Sequence, residues 1–183
     1  MRTLPLILSV VLTLGGGSRA FAQARPVDDE VSFAERNMSG PRLGVTYVAG
    51  DGSLARELTK NGFGRLLSQF GWHFEYQVIP EGGGPQFVIQ VVPLISGVEY
   101  SKFFPTATLA IGVRLPDGVE FGLGPNVLLS GHPRTALTIA LGKSFNYGGV
   151  SIPINVALTT NPEGQRISFI VGYAIRGASR AQW

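Results

Sequence analysis

The sequence has no cysteine among its 183 residues, and charged side chains make up only 15% of it. The absence of cysteine excludes disulfide bonds, thiolate metal sites and a lipid-modified N-terminal cysteine. There are only two histidines, and neither their spacing nor any acidic cluster predicts a metal site or another bound cofactor. A chain of this length is expected to form one domain. If it is exported, backbone hydrogen bonds and packing must stabilise it.

No run of about 18 apolar residues, the length of a membrane-spanning helix, occurs in the chain. A short apolar core, Leu4 to Leu14, follows Arg2 and precedes the small-residue site Ala20-Phe21-Ala22. This order predicts a secretory signal peptide over residues 1–22.

Loss of the signal peptide would remove two arginines and leave the chain nearly neutral, although its formal net charge is +3. The basic balance therefore does not indicate a nucleic-acid partner. The polar residues 23–41 are predicted to form a flexible lead-in.

Five amphipathic segments fill the chain from Thr106 to Arg176, separated by turn sequences rich in glycine, proline and asparagine. In each segment, large apolar residues alternate with small or neutral polar ones. Such alternation over consecutive segments predicts β-strands with two unlike faces. The large apolar face comprises Leu109, Ile111, Val113, Val119, Phe121, Leu123, Leu137, Ile139, Leu141, Ile152, Ile154, Val156, Leu158, Ile167, Phe169, Val171, Tyr173 and Ile175.

The composition of the second face decides the class of protein. It is rich in glycine, alanine, serine and threonine and nearly free of charge, unlike the solvated face of a soluble barrel. Small residues suit the narrow lumen of an eight-stranded barrel. The large apolar residues must then face outward, which is favourable in lipid. We therefore expect a transmembrane β-barrel, and a soluble barrel is the alternative.

Three further alternating segments precede this block: Arg42 to Ala49, Trp72 to Ile79, and one that begins near Gln86 and bends or ends at Pro93 or Gly97. The predicted fold is thus all-β, an eight-stranded antiparallel up-and-down transmembrane β-barrel. We expect the barrel over residues 42–176 and a C-terminal extension over 177–183.

The first long connection is predicted to contain one short helix, because apolar residues recur at helical spacing between Ser53 and Phe70. Ser53 is its expected N-cap. The two interpretations are a loop packed over one barrel end and a lid or membrane-surface element. The predicted connections after strands one, three, five and seven include the two longest, whereas those after strands two, four and six are all short. This asymmetry between the two ends is typical of outer-membrane barrels.

Aromatic residues fall at two levels of the predicted strands, as expected for belts at the two membrane interfaces. Near the side of the termini lie Tyr76, Phe87, Phe121, Phe145, Tyr147 and Tyr173. Near the far side lie Tyr47, Trp72, Phe103, Phe104 and Phe169.

From about Arg42 to Arg176 the chain resembles the small outer-membrane β-barrel superfamily of bacteria, which includes OmpA-like and OmpX-like eight-stranded barrels. The resemblance implies location in the outer membrane, contact with membrane lipid, a monomeric state and recognition by the outer-membrane assembly machinery. That machinery reads an aromatic residue near the end of the last strand in such families. Here either Tyr173 or Trp183 could be that aromatic.

Polar residues on the predicted inward face form the candidate site. Because a buried charge is costly unless it is paired, we expect one hydrogen-bonded core that plugs the lumen. Its predicted members are His73, Glu75, Gln77, Gln86, Gln90, Arg114, Glu120, Asn126 and Asn155.

One pair in this core can be predicted in detail. A three-residue loop at Pro116-Asp117-Gly118 sets Arg114 opposite Glu120 and keeps both on the inward face. The same loop requires a left-handed conformation, which glycine adopts readily, at Gly118.

Three functions are compatible with these residues. The expected one is a non-enzymatic, porin-like outer-membrane barrel that serves envelope structure, surface interaction or the passage of small apolar solutes. The first alternative is a soluble periplasmic barrel that binds an apolar ligand inside, as lipocalins do. The second is a lipid-modifying hydrolase in which Glu75 orients His73 and a serine such as Ser130 is the nucleophile. The other histidine, His132, lies in a predicted far-side turn and has no role in this alternative.

Overall fold

The computed structural model describes residues 37–80, 84–129, 134–162 and 164–175, and over these ranges it is a closed barrel of eight antiparallel strands. Each strand pairs with the next along the chain, and the last pairs with the first. The predicted all-β, up-and-down barrel is therefore confirmed. The strands are β1 (Gly40–Ala49), β2 (Leu66–Val78), β3 (Gln86–Ser96), β4 (Phe104–Arg114), β5 (Val119–Leu128), β6 (Arg134–Tyr147), β7 (Val150–Asn161) and β8 (Gly164–Gly172).

The last strand continues for two more residues beyond a short break. Ala174–Ile175 pairs with the start of β7 in the register that β8 already follows. In this register Pro153 of β7, which has no N–H to donate, lies opposite Gly172, the last residue before the break.

The connections define two ends of the barrel. The terminal end carries the start of β1, the end of β8 and three connections, 79–85, 115–118 and 148–149. The far end carries 50–65, 97–103, 129–133 and 162–163. The two longest far-end connections contain α1 (Ser53–Lys60) and a single 3-10 turn, Val98–Tyr100.

The two faces of the sheet are inverted relative to a water-soluble protein. Large apolar side chains point away from the lumen, with Leu141 59% and Ile111 61% exposed. Small and polar residues line the inside, and Thr138 and Ser168 are among the buried ones. The expected orientation of both faces is thus confirmed.

The β4–β5 hairpin has the predicted three-residue loop. The backbone N–H of Leu115 donates to Val119 O at 2.8 Å, and Arg114 lies directly opposite Glu120. Gly118 has φ +86°, the left-handed conformation that this loop requires. The register prediction for the two charged residues is therefore confirmed.

The far-end helix is shorter than the pattern from Ser53 to Phe70 suggested. Helix α1 ends at Lys60, where the Asn61 side chain donates to Glu57 O at 2.8 Å. Gly52 is the N-cap, and Ser53 is the first helical residue, so the prediction that Ser53 caps the helix is wrong. None of the helices in the described ranges combines the length and the apolar character needed to cross a membrane.

The apolar residues after the helix belong to β2, which begins at Leu66 and not at Trp72. Alternation continues through these residues, with Leu67 and Gln69 inward and Leu66 and Phe70 outward. Tertiary pairing with β1 therefore overrides the helical spacing. Strand β3 likewise runs through Pro93 and ends just before the left-handed Gly97.

Three aromatic assignments are corrected by these bounds. Phe104, the first residue of β4, points into the far mouth of the barrel, because its side chain lines a cavity at that end. Trp72 and Phe169 lie in the middle of β2 and β8, not near the far end. The other predicted aromatics are outward and exposed: Tyr47, Tyr76, Phe87, Phe103, Phe121, Phe145, Tyr147 and Tyr173.

Several predictions concern residues outside the described ranges, namely the signal peptide over residues 1–22, most of the lead-in, Ser130, His132 and the extension with Trp183. The lead-in ends earlier than expected. Asn37 to Ser39 are held by hydrogen bonds in the terminal mouth, and β1 already begins at Gly40.

Candidate functional site

Arg114 is the centre of a charged cluster at the terminal end of the lumen. Its side chain is fully buried, and its Nε donates to Glu120 Oε2 at 2.7 Å. Its Nη1 donates to Glu75 Oε1 at 2.7 Å, and its Nη2 contacts both carboxylates. One guanidinium therefore bridges two acids, as its planar fork of donors allows.

Two amides complete the shell of these carboxylates. Gln77 Nε2 donates to Glu75 Oε1 and Gln90 Nε2 donates to Glu120 Oε1, each at 2.6 Å. The two carboxylates and two amides come from three strands: Glu75 and Gln77 from β2, Gln90 from β3 and Glu120 from β5. They meet because all four occupy inward positions near the terminal end. The sequence alternation predicted all four of these residues.

A second group, around His73, adjoins the first. Nδ1 of His73 lies 2.6 Å from Arg42 Nη2 and 3.0 Å from Met38 O. Because a guanidinium can only donate, Nδ1 accepts from Arg42, and the proton of the neutral ring then lies on Nε2. Met38 O is therefore a neighbour of Nδ1 and accepts from Arg42, not from His73. Nε2 is 3.9 Å from Glu75 Oε2. Arg42 also donates to Met38 O at 2.6 Å.

The residues before β1 close the terminal mouth. Met38 is 1% exposed and packs against Ala174, and its N–H donates to Glu75 Oε1 at 3.2 Å. The Ser39 hydroxyl accepts from the backbone N–H of Glu75 at 3.0 Å. This segment and the charged cluster together obstruct the lumen at this end.

The cluster is balanced in charge, since Arg42 and Arg114 match Glu75 and Glu120. Among the described residues, the groups nearest the ring nitrogens of His73 are the guanidinium of Arg42, the carbonyl of Met38 and the carboxylate of Glu75. Ser130, the predicted nucleophile of the hydrolase alternative, lies outside the described ranges. Within the described ranges, no group of acidic residues and histidines could hold a metal ion.

The expected single core is in fact divided. Asn126 lies nearer the far end, where it donates to Thr108 Oγ1 at 2.9 Å and accepts from Arg166 Nη2 at 2.7 Å. Asn155 lines the space between the two groups. The strands are long enough to separate inward residues along the barrel axis, and alternation alone carries no information about that height.

Among the described residues, the lumen contains a mid-barrel and a far-end cavity. The mid-barrel cavity, about 80 Å³, is bordered by His73 and Glu120 of the charged cluster and by Thr108, the hydrogen-bond partner of Asn126. The far-end cavity, about 230 Å³, lies under α1. Its walls are mostly apolar, with three hydroxyls, one amide, one carboxylate and one guanidinium among them: Thr46, Val48, Leu54, Glu57, Leu58, Asn61, Phe63, Leu67, Ser96, Phe104, Thr106, Leu128 and Arg166.

Two interior arginines were not among the predicted site residues. Arg42 was assigned only to the start of the first strand, and Arg166 follows a turn. Both continue the inward alternation, Arg42 with Gly44 and Thr46, and Arg166 with Ser168. This period-two alternation is the sequence signal from which the inward position of both arginines could have been predicted.

Comparison of the chain with family models, curated proteins and solved structures found no match.

Proposed function

We propose that this chain is a non-enzymatic β-barrel of the bacterial outer membrane, exported through a signal peptide and embedded as a monomer. The observation that carries the proposal is the band of large exposed apolar side chains around the barrel, which includes Leu109, Leu123 and Leu158. Contiguous apolar surface of this extent is unfavourable in water and favourable in lipid.

Two further features support the proposal. The strands contain between 9 and 14 residues, and a tilted strand needs about 9–11 to cross a bilayer. The outward aromatics Tyr76 and Tyr147 lie towards the terminal end, where an interfacial belt is expected.

The interior favours a structural or surface-interaction role over solute passage. The Arg114 cluster and the segment 37–39 obstruct the terminal end, and α1 covers the far end. The far-end connections are the parts of the chain available to a surface partner.

Fractionation of cells that express the full chain tests the membrane assignment. We expect the protein to remain with washed membranes, to require detergent for extraction, and to migrate differently on gels before and after heating. A monomer that is stable in buffer without detergent would contradict the proposal. Liposome swelling with small sugars should show no rapid uptake.

A soluble barrel that binds an apolar ligand is the second candidate, and the far-end cavity is the observation that favours it. Its apolar outer face would then be in water. The same fractionation distinguishes the two candidates.

A further inference from the structure

Arg166 lies apart from the charged cluster at the terminal end, whose two arginines have Glu75 and Glu120 near them. It faces inward from β8, opposite Val48 of β1 and Thr159 of β7, and its Nη2 donates to Asn126 Oδ1. In the part of the chain that the structure describes, no carboxylate forms an ion pair with it. At the terminal end, by contrast, Arg114 contacts two carboxylates. A largely buried guanidinium without an acid is a position where a bound anion is favoured.

The far-end cavity borders this guanidinium and is otherwise mainly apolar. Leu58 of α1 is 4% exposed and covers the cavity from the far end. It packs with Val48 of β1 and Leu67 of β2, which form one side of the cavity. Phe104 and Leu128 line the cavity as well. An occupant must therefore combine one anionic group with an alkyl portion.

We propose that the far-end cavity binds a small amphiphilic monocarboxylate, with its carboxylate on Arg166 and its alkyl chain beneath α1. The carboxylate matches the planar donors of a guanidinium. A dianionic head group is less suitable, because the cavity offers one cation and Glu57 lines its rim. The proposal goes beyond the proposed function, because it requires the closed barrel but not a lipid environment.

The cavity, about 230 Å³, has room for several water-sized groups and so admits a short alkyl chain. Hexanoate, with a carboxylate and five further carbons, is therefore the probe of choice. Hexanol is its uncharged counterpart.

Binding should be measured by NMR titration of the purified full chain in nanodiscs, or in buffer if the protein proves water-soluble. For the wild type we expect saturable binding of hexanoate, about tenfold tighter than that of hexanol. Arg166→Gln should weaken hexanoate binding by about tenfold to a hundredfold, the range for a charge-assisted hydrogen bond, and leave hexanol binding unchanged.

Arg65→Gln is the matched control. Arg65 is also a far-end arginine, but it pairs with Asp51 and does not line the cavity, so hexanoate binding should be unchanged. Arg166→Lys should retain a preference for hexanoate over hexanol because it retains the charge, but lose part of the affinity because an ammonium group lacks the planar donors. No saturable hexanoate binding, equal wild-type affinities for hexanoate and hexanol, or a preference for hexanoate that survives Arg166→Gln would each overturn the proposal. The wild-type comparison remains decisive if Arg166→Gln does not fold.

Discussion

Arg114 donates from Nε to Oε2 of Glu120 at 2.7 Å across the β4–β5 hairpin, and the same guanidinium bonds Glu75 on β2. The hairpin pair is thus one half of a three-residue ionic group. Breaking a buried ion pair costs more than the pair contributes, because the remaining charge has no counter-ion. The two acids share one cation, so the three residues are not equivalent.

Replacement of the shared cation should be the most damaging change in this group. Arg114→Met leaves Glu75 and Glu120 facing each other, and we expect the free energy of unfolding to fall by about 3–5 kcal/mol. Glu120→Gln leaves Arg114 paired with Glu75 and should cost about 1–3 kcal/mol. Urea unfolding followed by tryptophan fluorescence measures both. Adding Glu75→Gln and Glu120→Gln to Arg114→Met should restore stability; strictly additive losses would show that the charges do not interact.

Gln86 and Gln90 provide a matched pair on the inward face of β3. Gln86 is 0% exposed, and neither its amide nitrogen nor its amide oxygen has a partner among the described residues. Gln90 donates to Glu120. Because an unsatisfied buried amide costs about 1–3 kcal/mol, Gln86→Leu should leave the unfolding free energy unchanged or raise it. Gln90→Leu should lower it. A loss of stability in Gln86→Leu equal to that in Gln90→Leu would contradict this assignment.

Two inward glycines of β5, Gly122 and Gly124, differ in the space available for a side chain. A Cβ on Gly124 would overlap the carbonyl oxygen of Leu109, whereas the nearest atom to a Cβ on Gly122 would be 3.8 Å away. We expect Gly124→Ala to destabilise the barrel by about 1–3 kcal/mol. Gly122→Ala should be neutral or stabilising by about 0.5–1 kcal/mol, because alanine has less backbone freedom to lose. Urea unfolding of the two variants provides the comparison, and equal losses would be inconsistent with the packing.

The barrel, its strand count and the orientation of both faces were predictable from the sequence, because period-two alternation persists through all eight strands. The Arg114–Glu120 register was predictable as well, since only a three-residue loop keeps both charges inward. The start of β2 was not, because Leu66, Leu67 and Phe70 also fit a helical spacing. The division of the polar core was not predictable either, since alternation gives the face of Asn126 but not its height along the barrel.

Glu99, in the far-end 3-10 turn, should titrate below its ordinary pKa of 4.5. Desolvation acts to raise the pKa of this exposed carboxyl, but hydrogen bonds from the Ser68 hydroxyl, from the backbone N–H of Glu99 itself and from the backbone N–H of Ser68 outweigh it and lower the pKa. A depressed pKa means that the contact stabilises the turn above about pH 4.5 and is lost as the pH falls through the folded value.

The carbon-13 NMR titration of the Glu99 carboxyl group measures this effect. Ser68→Ala should raise the pKa of Glu99 and leave unchanged that of Asp117, which the Val119 N–H and Lys143 hold below its ordinary value. An unchanged Glu99 titration in Ser68→Ala would show that the contact does not form.

A charge introduced on the outer face distinguishes lipid from water. Leu141 and Phe145 both point outward from β6, but Leu141 lies in the middle of the strand and Phe145 near the terminal end. In a bilayer, Leu141→Lys should lower the unfolding free energy by about 2–4 kcal/mol, because a lysine at the midplane loses its hydration. Phe145→Lys should lower the unfolding free energy by only about 0–1 kcal/mol through its charge, because the ammonium group of a lysine at this position reaches the interface. In water, by contrast, a lysine at either exposed position would be nearly neutral. Unfolding in lipid vesicles gives the two values, and equal costs at both positions would indicate that the outer face does not lie in lipid.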